Sequence, residues 1–170
     1  MLRFREFLRS GHAPTLWSSF LYFGFSCAVW VINGAMAPFI QESFRLTPTQ
    51  MGMMLSIPIF AGALMRFPLG ILAQYIGRKN ATLVEMAGIF AAMAYGYLFV
   101  HTYHELLALG VLLGVAGASF GVALSLGSGS FPPRYKGLAM GIVGAGNVGT
   151  AVAALLAPAL AQKFGWQAVY

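Results

Sequence analysis

Five long apolar stretches dominate this chain and leave it very few ways to fold. They run from Thr15 to Ala37, Gln50 to Ile76, Ala81 to Val100, Leu106 to Phe131 and Gly137 to Ala161. A helix crosses a bilayer with about 20 residues, so each stretch is long enough to span. Short polar links centred on Glu42–Thr49, Gly77–Asn80, His101–Glu105 and Pro132–Lys136 separate them. In hydrocarbon every backbone polar group must be satisfied within the segment, which leaves helices as the economical solution. Composition agrees: 59% of the 170 residues are hydrophobic and 8% are charged, against about 45–50% and about 25% in soluble domains. The expectation is an all-α membrane protein in three parts. Residues 1–14 form a basic N-terminal segment, 15–161 five transmembrane helices, and 162–170 an external link into the start of a truncated sixth helix.

Cations assign the two faces. Arg3, Arg5, Arg9, Arg78, Lys79, Arg134 and Lys136 fall on one side, and only Arg45 and Lys163 on the other. By the positive-inside rule the crowded side is cytoplasmic, so the N-terminus is cytoplasmic in a multi-pass protein of the cell's inner (plasma) membrane. Topology thus accounts for the net charge of +6, and nucleic acid is not an expected partner. Arg3, Arg5 and Arg9 also resemble the basic end of a signal peptide. The apolar stretch from Thr15 to Ala37 exceeds the roughly 7–15 residues of a signal's apolar core, which favours a retained first helix. The single Cys27 forms no internal disulfide.

One charge interrupts this pattern. Arg66 lies in the middle of the second stretch, with no acid between Glu42 and Glu85. A guanidinium cannot shed its charge, and placing it in hydrocarbon costs at least about 2.5–3.5 kcal/mol. A charge kept at that cost reads as a functional site, and the simplest partner is a small anion. Arg66 is ten residues from the cytoplasmic end of its stretch, about 15 Å along a helix. Asn147 and Phe120 lie at a similar depth in their own stretches. All three fall near the midplane, where transporters bind their substrates.

The fifth stretch carries small residues every fourth position: Gly137, Gly141, Ala145, Gly149, Ala153, Ala157 and Ala161. Such a seam predicts close approach by a neighbouring helix. Asn147 points away from it, on a face shared with Met140, Gly144 and Ala151. Taken alone, Asn147 is either an interhelical hydrogen-bonding group or a substrate contact. Phe120, a large ring among small residues, is either a packing residue or a wall of the site. Asn33 reads as a packing residue, and Glu85 as a surface partner of Arg78, Lys79 or Arg134. His101, His104 and Glu105 read as interfacial polar residues, not a metal site. The pattern Gly144-x-Gly146-x-x-Gly149 lacks the strand and later acid of a dinucleotide site. No nucleophile–base pair is visible, so neither an enzyme nor a cofactor is expected.

Three segments carry a family resemblance. Gly70-Ile-Leu-Ala-Gln74-Tyr75-Ile-Gly77-Arg78-Lys79 resembles the cytoplasmic loop signature of the major facilitator superfamily, with Gln74 where that superfamily usually carries Asp. Gln74 can hydrogen-bond but cannot form an ion pair, so a charge-based latch is not expected. Arg66-Phe67-Pro68-Leu69-Gly70 is similar to an element of that superfamily's nitrate/nitrite porters. The segment from Phe131 through Gly137-Leu-Ala-Met-Gly141-Ile-Val-Gly144-Ala-Gly146-Asn147-Val-Gly149 resembles the porters' signature helix. The resemblance covers nearly all of this chain and the N-terminal half of the family's length.

It implies two six-helix halves around a central cavity and transport of nitrate or nitrite by alternating access, as uptake, export or exchange, in nitrate assimilation. Arg66 would bind the anion, with Asn147 and Gly144 beside it and Phe120 as a wall. The missing C-terminal half is an implied partner, and the chain alone is expected not to transport. Two alternatives stand beside this: a facilitator for another anion or organic solute, and a non-transporting truncated subunit needing a partner half.

Overall fold

The computed structural model describes residues 2–170, with side chains from Phe4 onward, so the side chain of Arg3 lies outside the described residues. They are helical, with no strand among them. The elements are α1 (Leu2–Arg9), α2 (Ala13–Trp30), α3 (Ile32–Ala35), α4 (Ala37–Phe44), α5 (Pro48–Ile76), α6 (Arg78–Phe99), α7 (Tyr103–Gly117), α8 (Ser119–Ser128), α9 (Pro133–Gly144) and α10 (Gly149–Phe164). A 3₁₀ turn, Ala145–Val148, joins α9 to α10, and another covers Trp166–Val169.

Four helical runs are long and apolar enough to cross a membrane: Pro48–Ile76, Arg78–Phe99, Tyr103–Ser128 and Pro133–Phe164. They correspond to the second through fifth expected spans. The first, Thr15 to Ala37, is helical but broken. Single non-helical residues, Val31 and Met36, divide α2, α3 and α4. Pro38 lies just inside α4, where it has no N–H to donate back to Gly34 and cannot continue the preceding helix.

Local chemistry sets the helix ends. Thr47 and Gln50 cap α5 reciprocally, with Pro48 at its first turn; Thr102 and Glu105 do the same for α7. These boxes satisfy orphan N–H groups at the helix start. Glu105 Oε2 accepts the N–H groups of His101 and Thr102, both at 2.8 Å. Its carboxylate thus acts as a cap, and no metal-holding cluster occurs among the described residues. Gly77 joins α5 to α6 at φ 83°, a conformation that favours glycine.

The basic N-terminus is more ordered than its composition suggests. In α1 Phe7 is fully buried, its ring stacked on Phe131 at 4.8 Å between centroids. Glu6 and Arg134 form an ion pair whose side chains are both well exposed. We expect Arg134→Gln to lower stability by less than about 1 kcal/mol in a thermal melt, because exposed pairs contribute little.

Two expectations need correction. Glu85 is not a surface partner of the loop cations. It lies on the inward face of α6 with Ala81, Ile89 and Ala92, is 1% exposed, and accepts the Tyr22 hydroxyl from α2. Arg78 turns elsewhere, its Nη1 donating to the Ser125 carbonyl near the end of α8 at 3.1 Å.

The small-residue seam of the fifth span is also not continuous. Gly149, Ala153, Ala157 and Ala161 are buried. Gly137 and Gly141 have no neighbour within 4 Å of where a Cβ would stand, and Ala145 is exposed. A helix turns once every 3.6 residues, so a four-residue repeat drifts about 40° per step and winds off any one face. The buried line passes instead through Ala139, Val143, Gly146, Gly149 and Ala153.

Another close small-residue contact lies in the fourth span. A Cβ on Gly110 would meet Ile57 and Pro58 at 3.2–3.3 Å, and one on Gly114 would stand 2.4 Å from Ala61 Cβ. Glycines at these spacings let the α5 and α7 backbones nearly touch.

Candidate functional site

The site is built from helix irregularities. The run from α7 to α8 breaks at Ala118, the run from α9 to α10 passes through a 3₁₀ turn at Ala145–Val148, and α2 ends at Trp30. A 3₁₀ stretch within a long helix often marks a functional position. All three border one cavity with Arg66, which projects from the middle of α5.

Arg66 is held on three sides. Its Nε donates to the Gly117 carbonyl at 3.2 Å. That carbonyl belongs to the last turn of α7, where carbonyls lack helical partners. The guanidinium carbon is 5.9 Å from the centroid of the Trp30 ring and 5.9 Å from that of Phe120. Aromatic faces attract a cation at this range. Sequence gave Arg66 no local partner. The protein supplies a backbone dipole and two rings, none of which neutralises the charge. With Nε engaged, the terminal nitrogens remain as a fork suited to a planar oxyanion.

A cavity of about 230 Å³ adjoins this group. Arg66, Phe120, Gly144 and Asn147, the four residues expected to contact substrate, all line it. Three helices contribute the rest of the wall: Phe23, Cys27 and Trp30 from α2, Gly117 from α7 and Ser119 from α8. Phe120 also packs on Phe23 at 5.7 Å between centroids. Asn147 is exposed on the 3₁₀ turn, and Gly144 ends α9 one turn before it.

A second cavity of about 940 Å³ shares Arg66 and Phe120 with the first and continues along α5. Gly70, Gln74, Gly77, Arg78 and Lys79, the whole expected loop motif, line it. Gln74 and Arg78 form no ion pair; Arg78 is spent on the Ser125 carbonyl. The route from Arg66 to the basic loop is therefore one continuous groove.

Sequence reasoning missed Trp30, Phe23, Cys27, Ser119 and the Gly117 carbonyl. A signal for Trp30 did exist. Gly62 and Gly117 flank its indole: a Cβ on Gly62 would lie 3.0 Å from Nε1, and one on Gly117 2.5 Å from the ring. Two glycines, one on each of two stretches, mark a place where a large side chain enters.

A family profile described as Major Facilitator Superfamily matches residues 18–170. The chain is also similar to curated proteins described as "Probable nitrate transporter NarT" from the JH9, Newman and USA300 strains of Staphylococcus aureus. Each is 35% identical over 162 residues, covering 94% of this chain and 40% of the relative. The chain thus spans about two fifths of the length of these relatives.

Proposed function

The chain belongs to the major facilitator superfamily, and on that premise we propose that it is the N-terminal portion of an alternating-access transporter for nitrate or nitrite. The observation that carries this reading is the setting of Arg66. An unneutralised guanidinium, flanked by two rings, borders a cavity also lined by Asn147 and Gly144. A planar, weakly hydrated oxyanion fits that chemistry. The Arg66 fork binds two of its oxygens, the Asn147 amide donates to a third, and the rings cover its faces at little cost in lost water.

The chamber at Arg66, about 230 Å³, accommodates a small ion, and the groove of about 940 Å³ that shares Arg66 and Phe120 with it is the way in. Transport follows from charge: the bound anion offsets Arg66, and the neutral pair lets the two halves rock about the site. The basic loops face the cytoplasm in this reading, and the groove lined by Gln74, Arg78 and Lys79 leads there. The chain is a membrane carrier component, not an enzyme.

Anion uptake by proteoliposomes carrying the intact transporter that contains these residues tests the reading. Nitrate and nitrite should be taken up, and Asn147→Ala should raise the apparent KM for nitrate about five- to tenfold, as expected for one lost hydrogen bond. Unchanged uptake in Asn147→Ala would make it a packing residue. Transport of large organic anions in preference to nitrate would select the alternative substrate class.

A further inference from the structure

Trp30 lines two cavities. On one side is the chamber at Arg66. On the other is a cavity of about 360 Å³, whose lining includes Trp30, Asn33, Gly34, Leu55, Pro58 and Ile59. Leu55 is eleven residues before Arg66 in α5, so this cavity lies about 16 Å further from the basic loop.

Its lining is apolar with one clear exception. Asn33 is 2% exposed, and its Oδ1 accepts the Tyr170 hydroxyl. That bond fixes which way the amide faces. The other end, Nδ2, is buried and has no partner. Buried donors are almost always paired, so one that is not calls for a reason. An acceptor that binds only transiently supplies it. Positive charge also stands nearby: the Arg66 guanidinium carbon is 5.9 Å from the centroid of the Trp30 ring, which lines this cavity too.

We propose that this cavity is a second anion site on the path, with the Asn33 amide as its donor and the Trp30 indole as the wall between it and Arg66. The proposal rests on the reading of Arg66 as an anion site. In this proposal the wall moves at the end of its helix. Trp30 is the last residue of α2, directly before the break at Val31. One hydrogen bond, Nε1 to the Pro58 carbonyl at 2.9 Å, ties its indole to α5. Gly62 and Gly117 let the ring pack close against α5 and α7 without a side chain between them. An anion at Asn33 would thus be held where the Arg66 field is felt, until the indole moves aside.

Thiol labelling in the intact transporter tests this, with the rest of that protein free of cysteine. Cys27 lines the Arg66 chamber and reports on it. Gly34→Cys places a reporter in the second cavity, where an added Cβ meets only Leu55 Cδ2 at 3.8 Å. It is combined with Cys27→Ser. A charged methanethiosulfonate is applied from the face opposite the basic loops.

The expected result is that Gly34→Cys reacts and that nitrate slows the reaction several-fold. Asn33→Leu should abolish that protection, and Tyr170→Phe, which frees the amide to turn, should weaken it. Cys27 should resist the reagent from that face, react readily in Trp30→Ala, and show intermediate reactivity in Trp30→Phe, which keeps the ring and loses the Pro58 bond. Nitrate-independent labelling of Gly34→Cys would overturn the site, and equal labelling of Cys27 with Trp30 intact would overturn the wall. Nitrate applied with reagent from the basic-loop face should protect Cys27. If it does not, the Arg66 reading fails first and takes this proposal with it.

Discussion

Replacing Arg66 by lysine in the intact transporter is expected to raise the KM for nitrate by about ten- to a hundredfold. A hydrogen bond to a charged group contributes about 1.5–3 kcal/mol, and each 1.4 kcal/mol is about tenfold in affinity. Lysine keeps the charge but loses two further things. It has no planar fork to meet two oxygens at once. It also has no Nε–H in mid-chain to hold the Gly117 carbonyl while its terminus faces the anion. A lysine ammonium must either bond that carbonyl or reach the anion. Arg66→Ala should abolish measurable uptake, because among the described residues no other cation lines the chamber. Initial uptake rates over a range of nitrate concentrations decide the matter. Normal nitrate affinity in Arg66→Lys would end the proposal that this guanidinium is the anion's ligand.

The residues of this site were legible in the sequence for different reasons. Arg66 stood out because a permanent charge in an apolar helix has no bland explanation. Phe120 and Asn147 were ambiguous from their own neighbourhoods, and depth together with family resemblance made them candidates. What brings them beside Arg66 is invisible to helical periodicity: a one-residue break at Ala118 and a 3₁₀ turn at Ala145–Val148. A regular-helix reading cannot anticipate where such breaks fall, yet they free the Gly117 carbonyl and set the register of Asn147. Glu85 was misread for a related reason. Its nearest cations in sequence suggested a surface pair, but α6 turns that position inward with Ala81 and Ile89, under the Tyr22 hydroxyl. The broken first span was likewise concealed. Its hydropathy runs on smoothly past Val31, and Pro38 was the one visible warning.

Gly149→Ala is expected to destabilise the protein by at least about 1–3 kcal/mol, whereas Gly141→Ala should be neutral within about 0.5 kcal/mol. Both glycines belong to the same four-residue repeat, and sequence alone ranks them together. Their surroundings differ completely. A Cβ on Gly149 would stand 1.8 Å from the Gly24 carbonyl oxygen and 2.6 Å from its carbon. These are backbone atoms of α2, so no rotamer change relieves the clash, and α2 must move off α10. Overpacking a core with movable side chains already costs about 1–3 kcal/mol, out of a total stability of about 5–15 kcal/mol. Around Gly141 nothing lies within 4 Å. Thermal unfolding in detergent of the two variants side by side is the measurement, and equal stability would mean that α2 and α10 do not approach as described. Gly146→Ala refines the test. Its Cβ would lie 2.7 Å from the Phe20 carbonyl oxygen, a lesser intrusion one residue from Asn147. Displacing that turn moves the Asn147 amide relative to Arg66. Nitrate affinity should therefore fall in Gly146→Ala by more than its loss of stability explains, because the turn that approaches α2 through Gly146 also carries Asn147 into the cavity beside Arg66.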